Sequence, residues 1–186
     1  MAPHPIIETE RLTLRPYSIV DFPDSAALWA DPATLAFIGS GLPLNAEEVW
    51  SRVLRNVGHW HALGYGYWAA REKANGRFIG DIGFQNLRRT MEPSLGDRPE
   101  MGWVLVPQAQ GRGYAREAVS GAIAWADAHL AASETVCIIR PTHERSIRIA
   151  LANGYRRTGA ARYGGTTTDV FMRLRAFQSE ATIPTS

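Results

Sequence analysis

The chain has 186 residues, of which 45% are hydrophobic and 20% are charged, so it can bury the core of one globular domain. The formal net charge of +2 is too small to favour nucleic acid or an anionic membrane surface as a partner. The single cysteine, Cys137, excludes an intrachain disulfide and a multi-cysteine metal site.

The N-terminal sequence lacks a basic region followed by an apolar stretch, and the most apolar later window is interrupted by Asp127. We therefore expect a cytoplasmic protein with no membrane partner. Cys137 falls in an apolar strand without a helix N-terminus beside it, so we interpret it as inert packing.

The first half of the chain begins with Leu12 and Leu14, whose alternation predicts a short strand before Pro16. A helix is predicted over residues 21–30, capped by its first residue, Asp21. A second helix follows Asn45, which has capping-box spacing to Glu48. Its apolar face is formed by Val49, Val53, Val57 and Trp60.

Three antiparallel strands are predicted next, over residues 67–71, 78–86 and 100–106. Residues 74–77 read as the hairpin turn between the first two. Residues 87–99 have two prolines and no apolar period, so we expect a long connection that could be mobile.

The second half starts with a helix predicted from residue 115 to residue 130, whose small-residue face can lie close on a sheet. A strand over 136–139, a helix over 145–153 and strands over 156–161 and 168–175 follow. This order predicts one mixed α/β (α+β) domain over residues 1–175, with a C-terminal tail at 176–186.

Residues 110–115 are candidates for a phosphate-binding turn between a strand and a helix. Gly111 and Gly113 allow consecutive amide groups to converge on one anion, and Arg112 and Arg116 add positive charge. The alternative is a plain glycine turn before a helix. A P-loop is excluded because no Gly-Lys-Ser/Thr is present, and Arg116 stands where a dinucleotide fingerprint needs a small residue.

The run from Glu100 to Ala118 resembles the acetyl-CoA-binding core of the GNAT superfamily of N-acetyltransferases, whose pattern Gln/Arg-x-x-Gly-x-Gly/Ala is met by Gln110, Gly113 and Ala115. Further similar segments are residues 8–16, 64–69, 78–84 and 146–155. The resemblance spans residues 6–175 and points to the branch of the ribosomal-protein (alanine/serine) N-terminal acetyltransferases. It implies the GNAT fold, with a central, mostly antiparallel twisted sheet of about six to seven strands flanked by about four helices.

The resemblance also implies the cofactor site, with acetyl-CoA as cosubstrate and no metal. The pantetheine arm would pair with strand residues Val104, Leu105 and Val106. The pyrophosphate would be received by Gln110, Gly111, Arg112, Gly113, Tyr114, Ala115 and Arg116. His143 stands where the family usually has a cofactor-contacting Asn, so it would either contact the cofactor or cap the following helix.

Glu100 resembles the position from which several family members draw the ammonium proton, which makes it the candidate general base. Its alternative role is an ion pair with an arginine such as Arg98. Ala150 occupies the place of the helix tyrosine that protonates the leaving thiolate in many members. Ser146 is the substitute candidate, against the alternative that its hydroxyl bonds its own backbone.

The implied acceptor is a primary amine, either a protein N-terminus or a small molecule, and a homodimer is compatible with the family. By family analogy Phe37, Trp60 and Tyr163 lie near the acceptor path, although aromatic residues there are also ordinary core. Two other functions stay open. One is an acyl-CoA-binding regulatory module without turnover, suggested by His143 and Ala150; the other is a nucleotide-binding module.

Overall fold

The computed structural model describes residues 5–39 and 41–175, so the expected tail at 176–186 lies outside the described residues. The described residues form eight strands and five α-helices. The strands are β1 (Ile7–Glu8), β2 (Leu12–Pro16), β3 (Tyr67–Glu72), β4 (Phe78–Gln85), β5 (Glu100–Leu105), β6 (Glu134–Ile139), β7 (Arg156–Tyr163) and β8 (Thr166–Leu174). The helices are α1 (Phe22–Ala30), α2 (Pro32–Leu35), α3 (Ala46–Leu63), α4 (Tyr114–His129) and α5 (Glu144–Ala152).

Two elements, β1 and α2, were absent from the sequence prediction because neither is long enough to show a period. The predicted capping box of α3 is confirmed: the Asn45 side chain accepts the Glu48 N–H at 2.9 Å, and Glu48 accepts the Asn45 N–H at 2.8 Å. The predicted capping by Asp21 is wrong. Its carboxylate accepts instead from Arg15 and from the Ser18 N–H, and α1 has no side-chain cap.

The strands form one sheet in the order β1-β2-β3-β4-β5-β6-β8-β7, so the predicted GNAT-type sheet is present with slightly more strands. Every neighbouring pair is antiparallel except β5 and β6. These two parallel strands pair at one position alone, Glu100 with Val136. Beyond Glu100 they diverge, and the edge of β5 that faces β6 is left open to a ligand.

Both faces of the sheet are covered by helices, and alternation along β5 decides which side chain faces which layer. Met101 and Leu105 pack with α4 residues such as Ala122 in the largest core cluster. Val104 packs on the opposite side, in the cluster of α1 and α3 that contains Val53.

Residues 87–99 pack against the sheet. Met91 and Leu95 are buried with Val136 and Ala161, and Glu92 forms an isolated bridge with Arg162. Residues 87–99 therefore cover the β6-β8-β7 end of the sheet, and this packing holds their side chains in place.

No helix within residues 5–39 and 41–175 has the length and hydropathy needed to cross a membrane.

Candidate active site

A cavity of about 930 Å³ lies where β5 and β6 diverge. Its walls are the end of β5, the turn that leads into α4, one side of α5, and α2 with the residues that follow it. The β5 residues that line it, 103–105, all lie beyond the position where β5 pairs with β6.

The turn before α4 brings backbone donors to the cavity. Gly111 and Gly113 have φ values of 75° and 81°, a region that side chains disfavour, and Gly113 is the N-cap of α4. The first N–H groups of a helix have no carbonyl partner within it, and the helix dipole makes this end positive. Both glycines, with Ala115 and Arg116 of the first turn, line the cavity, as expected of a pyrophosphate site.

Arginine side chains add positive charge to the same wall. Arg116 of α4 and Arg145 and Arg148 of α5 line the cavity, and Glu144, 3.6 Å from Arg148, lines it as well. Gln110, in the turn before α4, links the end of β5 to α5, since its Nε2 donates to the Leu105 carbonyl at 3.2 Å and its Oε1 accepts from Arg145 at 3.5 Å. Anionic ligands are favoured on this wall.

Two residues of the turn direct their side chains away from the cavity. The buried Tyr114 hydroxyl donates to Glu72, and the Arg112 guanidinium lies 3.5 Å from the same carboxylate and over the Tyr114 ring. The pKa of Glu72 is lowered by the hydrogen bond from Tyr114, then by that from Asn75. The backbone is therefore what the turn offers to an anion, with Arg116 as its cationic side chain.

His143 and Ser146 form the opposite wall at the start of α5. The His143 ring stacks on Phe37, with ring centroids 4.3 Å apart, and its Nε2 lies 3.5 Å from the Ser146 Oγ. His143 occupies the N-cap position but makes no capping hydrogen bond. Burial, and then the nearby Arg145 charge, lower the pKa of His143, so the imidazole is neutral at pH 7.

Two polar atoms among the cavity-lining residues are buried without a hydrogen-bond partner in the described part of the chain: Thr34 Oγ1 and Trp103 Nε1. Buried polar groups are normally satisfied, so their presence fits a cavity that takes a polar ligand. The sequence reasoning missed both, along with Arg145 and Arg148. The spacing of the two arginines, three residues apart on a predicted helix, was the available signal.

Glu100 lies at the point where β5 and β6 part, facing the side of α3 rather than α4. Both of its oxygens are engaged: Arg89 donates Nε to Oε2 at 2.6 Å and Nη2 to Oε1 at 2.9 Å, and Gln85 Nε2 is 3.3 Å from Oε1. The arginine partner is Arg89, whereas Arg98 pairs with Glu134. Burial lowers the pKa of Arg89, but its hydrogen bonds and charge pairing with Glu100 outweigh this and raise it overall.

The structure brings most of the predicted site residues together. Those that line the cavity are Val104, Leu105, Gln110, Gly111, Gly113, Tyr114, Ala115, Arg116, His143 and Ser146. Those outside its lining are Glu100, Val106 and Arg112. The Val106 N–H is already bonded to the Ile79 carbonyl at 3.0 Å.

The remaining side chains singled out in the sequence belong to the core or its margins. Trp60 is 2% exposed and packs edge-on against Trp68, so it is a core residue. Cys137 is buried, and burial raises its pKa well above the usual range, in agreement with inert packing. Ala150 is fully buried. The Tyr163 hydroxyl accepts a hydrogen bond from Arg89 at 2.6 Å.

Comparison with known proteins identifies the family to which the chain belongs. Residues 11–156 match the model of the Acetyltransferase (GNAT) domain. A GNAT-family acetyltransferase structure from Bordetella pertussis is similar, with 27% identity and a TM-score of 0.82 over 91% of this chain and 99% of that one. The uncharacterised N-acetyltransferase YoaA of Bacillus subtilis is 23% identical over 85% of this chain and 86% of its own.

More distant structures share the fold. They include the ribosomal-protein-S5-alanine acetyltransferase of Vibrio fischeri, with 18% identity and a TM-score of 0.73 over 92% of this chain and 97% of that one. Others are a ribosomal L7/L12 alpha-N-protein acetyltransferase in complex with coenzyme A, and the spermidine N-acetyltransferase of Vibrio cholerae in complex with CoA and spermine. The predicted resemblance is confirmed, and the chain belongs to the GNAT acetyltransferase family.

Proposed function

We propose that this acetyltransferase is acetyl-CoA-dependent and moves the acetyl group directly from the thioester to a primary amine of a protein N-terminus or a small molecule. The observation that carries the proposal is the opening between β5 and β6. It leaves the β5 edge exposed beside a glycine turn and a helix N-terminus. An extended arm that ends in a pyrophosphate fits these two features together.

Several groups of the chain fit such a cosubstrate. The backbone of Val104 and Leu105 lies along the open edge, and the amides of the α4 turn would hold the pyrophosphate. Arg116 and Arg145 supply positive charge for further phosphate oxygens. When bound, acetyl-CoA supplies an activated acetyl thioester.

Two residues would handle the protons. Glu100 would accept the proton that the ammonium group must lose, directly or through water, and Ser146 would donate a proton towards the leaving sulfur. Glu100 must share its oxygens with Arg89 to do so, which limits its reach. Ser146 is better placed, since it lines the cavity next to a neutral His143.

The acceptor class is supported by proteins of the same fold. Their names give ribosomal proteins and spermidine as acceptors, which are respectively protein and small-molecule amines. In this chain, Arg89 contacts both Glu100, the proposed base, and the Tyr163 hydroxyl, so an amine that reaches Glu100 would meet these two side chains.

The test is release of the CoA thiol from acetyl-CoA over a panel of peptides and small amines, with thermal unfolding in the presence of CoA, ATP or NAD alongside. We expect thiol release with at least one amine and a rise in Tm with CoA but not with ATP or NAD. Protection by ATP or NAD in place of CoA would contradict the assigned cofactor.

The alternative is an acyl-CoA-binding regulatory module without turnover. The observations that favour it are the engagement of both Glu100 oxygens by Arg89 and the fully buried Ala150, which offers no hydroxyl to the leaving group. This alternative predicts protection by CoA with no thiol release for any amine in the panel.

A further inference from the structure

A second cavity, of about 460 Å³, lies along α3 on the face of the sheet opposite α4. Arg52 and Arg55, three residues apart and therefore on one side of α3, line it. A pair of like charges at this spacing destabilises a helix unless something compensates for it. An anion near these two arginines would supply that compensation.

The carboxylate near Arg52, that of Asp81, already accepts hydrogen bonds from other side chains. Asp81 is fully buried and accepts from Tyr17 and from Trp29 Nε1 at 2.9 Å, while Arg52 Nε stays 3.9 Å from it and has no hydrogen-bond partner in the described part of the chain. Arg52 is held in place by stacking over the Trp29 ring at 3.8 Å. Its guanidinium is therefore held in position, and its ion-pair partner within residues 5–39 and 41–175 is the Asp81 carboxylate at 3.9 Å.

Arg55 has no ion-pair partner among residues 5–39 and 41–175. Arg55 is exposed at the surface of α3. Partial desolvation, followed by the Arg52 charge, lowers its pKa, and Arg89 and the hydroxyls of Tyr67 and Tyr163 also act on it. Glu100 does not supply the missing negative charge, because both of its oxygens already accept hydrogen bonds from Arg89. Within residues 5–39 and 41–175, the positive charge of Arg55 is therefore not balanced by a carboxylate.

Two carboxylates line the same cavity, Glu47 and Glu48. Both belong to the first turn of α3, and Glu48 already accepts the Asn45 N–H. Glu48 precedes Arg55 by seven residues, about 10 Å along the helix axis. The end of the cavity at Arg55 is therefore the cationic one.

Tyr67 connects this cationic end to the cofactor strand. A Cβ at residue 102 would lie 1.9 Å from the Tyr67 hydroxyl oxygen, so this hydroxyl rests on the backbone of Gly102. Gly102 is two residues before Val104, which lines the cofactor cavity from β5. The Arg52 guanidinium lies 5.8 Å from the centre of the Tyr67 ring, so Tyr67 stands between Arg52 and the strand that would present the acetyl group.

We propose that the acceptor of this enzyme carries a carboxylate or phosphate group, which Arg55 and Arg52 bind while its amine faces β5. This inference rests on the proposed transfer to an amine and specifies the class of acceptor. It also predicts that polycationic amines are poor acceptors, because they would meet the unpaired charge of Arg55.

The experiment measures thiol release with matched acceptors: 4-aminobutyrate against 1,4-diaminobutane, O-phosphoethanolamine against ethanolamine, and a peptide that begins Ala-Glu against one that begins Ala-Lys. We expect the anionic member of at least one pair to have the higher kcat/KM, and the first two pairs separate carboxylate from phosphate. Arg55→Gln should raise the KM for that acceptor roughly tenfold, the loss of one charge-assisted contact, and leave the KM for acetyl-CoA unchanged.

Arg88→Gln is the matched control, because Arg88 is an exposed arginine whose partner is Asp97. It should leave both constants unchanged. If, in every pair, the wild-type enzyme uses the cationic or neutral amine at least as well as the anionic one, the proposal of an anionic subsite is wrong. The proposed transferase activity would still hold. The same holds if Arg55→Gln affects both members of a pair equally.

If no amine releases thiol, the proposed function fails, and the subsite is tested by itself. With CoA at saturation to fill the cofactor cavity, glutarate or inorganic phosphate should raise the Tm of the wild type but not of Arg55→Gln. An equal rise in both proteins, or none in either, would overturn the subsite.

Discussion

Replacing Glu100 by Gln separates the chemical role of this residue from its structural one. The variant removes one charge of an ion pair whose side chains are 14% and 7% exposed at Arg89 and Glu100, and leaves the arginine without a counterion. Removing one partner of a buried pair costs about 3–5 kcal/mol. Arg89 retains the Tyr163 hydroxyl, so we expect about 3 kcal/mol, or a fall in Tm of about 6–12 °C for a chain of this size.

The assay combines thermal unfolding with thiol release as a function of pH. If Glu100 is the general base, kcat/KM should fall by about 100-fold or more after correction for the folded fraction, and the acidic limb of the pH profile should disappear. Glu134→Gln is the matched control. It breaks the more exposed Glu134–Arg98 pair, worth about 0–1 kcal/mol, and neither residue lines the cleft.

A variant that loses stability yet keeps the wild-type kcat/KM and pH profile would refute the base assignment. An unchanged Tm would refute the reasoning about the buried pair.

Three further predictions concern the glycine turn before α4, strand β5 and the start of α5. Gly113→Ala should cost about 1–2 kcal/mol, because its φ of 81° disfavours a side chain, and should weaken CoA binding measured by calorimetry. Gly102→Ala should lower the unfolding free energy by about 1–3 kcal/mol through overlap with the Tyr67 hydroxyl, and Tyr67→Phe in the same chain should restore much of it in urea titrations. Because burial and Arg145 lower the pKa of His143, stability should decline as pH falls below its unfolded value near 6.5, and His143→Gln should show less of this decline in Tm.

Each of these has a contrary outcome. Wild-type CoA affinity in Gly113→Ala would mean that the turn backbone does not contact the cofactor. Failure of Tyr67→Phe to rescue Gly102→Ala would mean that the hydroxyl is not what the new methyl group meets. Parallel Tm curves for the wild type and His143→Gln between pH 5 and 8 would show that this imidazole is not kept neutral by its surroundings.

Local patterns were enough to predict most of the elements. The long period of α4, the capping box of α3 and the alternation of β2 are properties of consecutive residues, and each is found where the sequence placed it. The glycine turn is equally local, because φ values near 75° and 81° at Gly111 and Gly113 are what its composition permits.

What consecutive residues cannot show is which distant side chains meet. The partner of Glu100 is Arg89, eleven residues away on a connection with no period, because this connection packs back over the sheet. The same packing brings Arg89 to Tyr163, 74 residues away in the chain.

The sequence alone therefore determined the family, the order of the elements other than β1 and α2, and the glycine turn before α4. Only the tertiary structure decided where β5 leaves β6, and that Arg55 has no ion-pair partner within residues 5–39 and 41–175. The physical reason is that pairing, burial and charge balance depend on contacts between residues far apart in the chain, and no local period encodes those contacts.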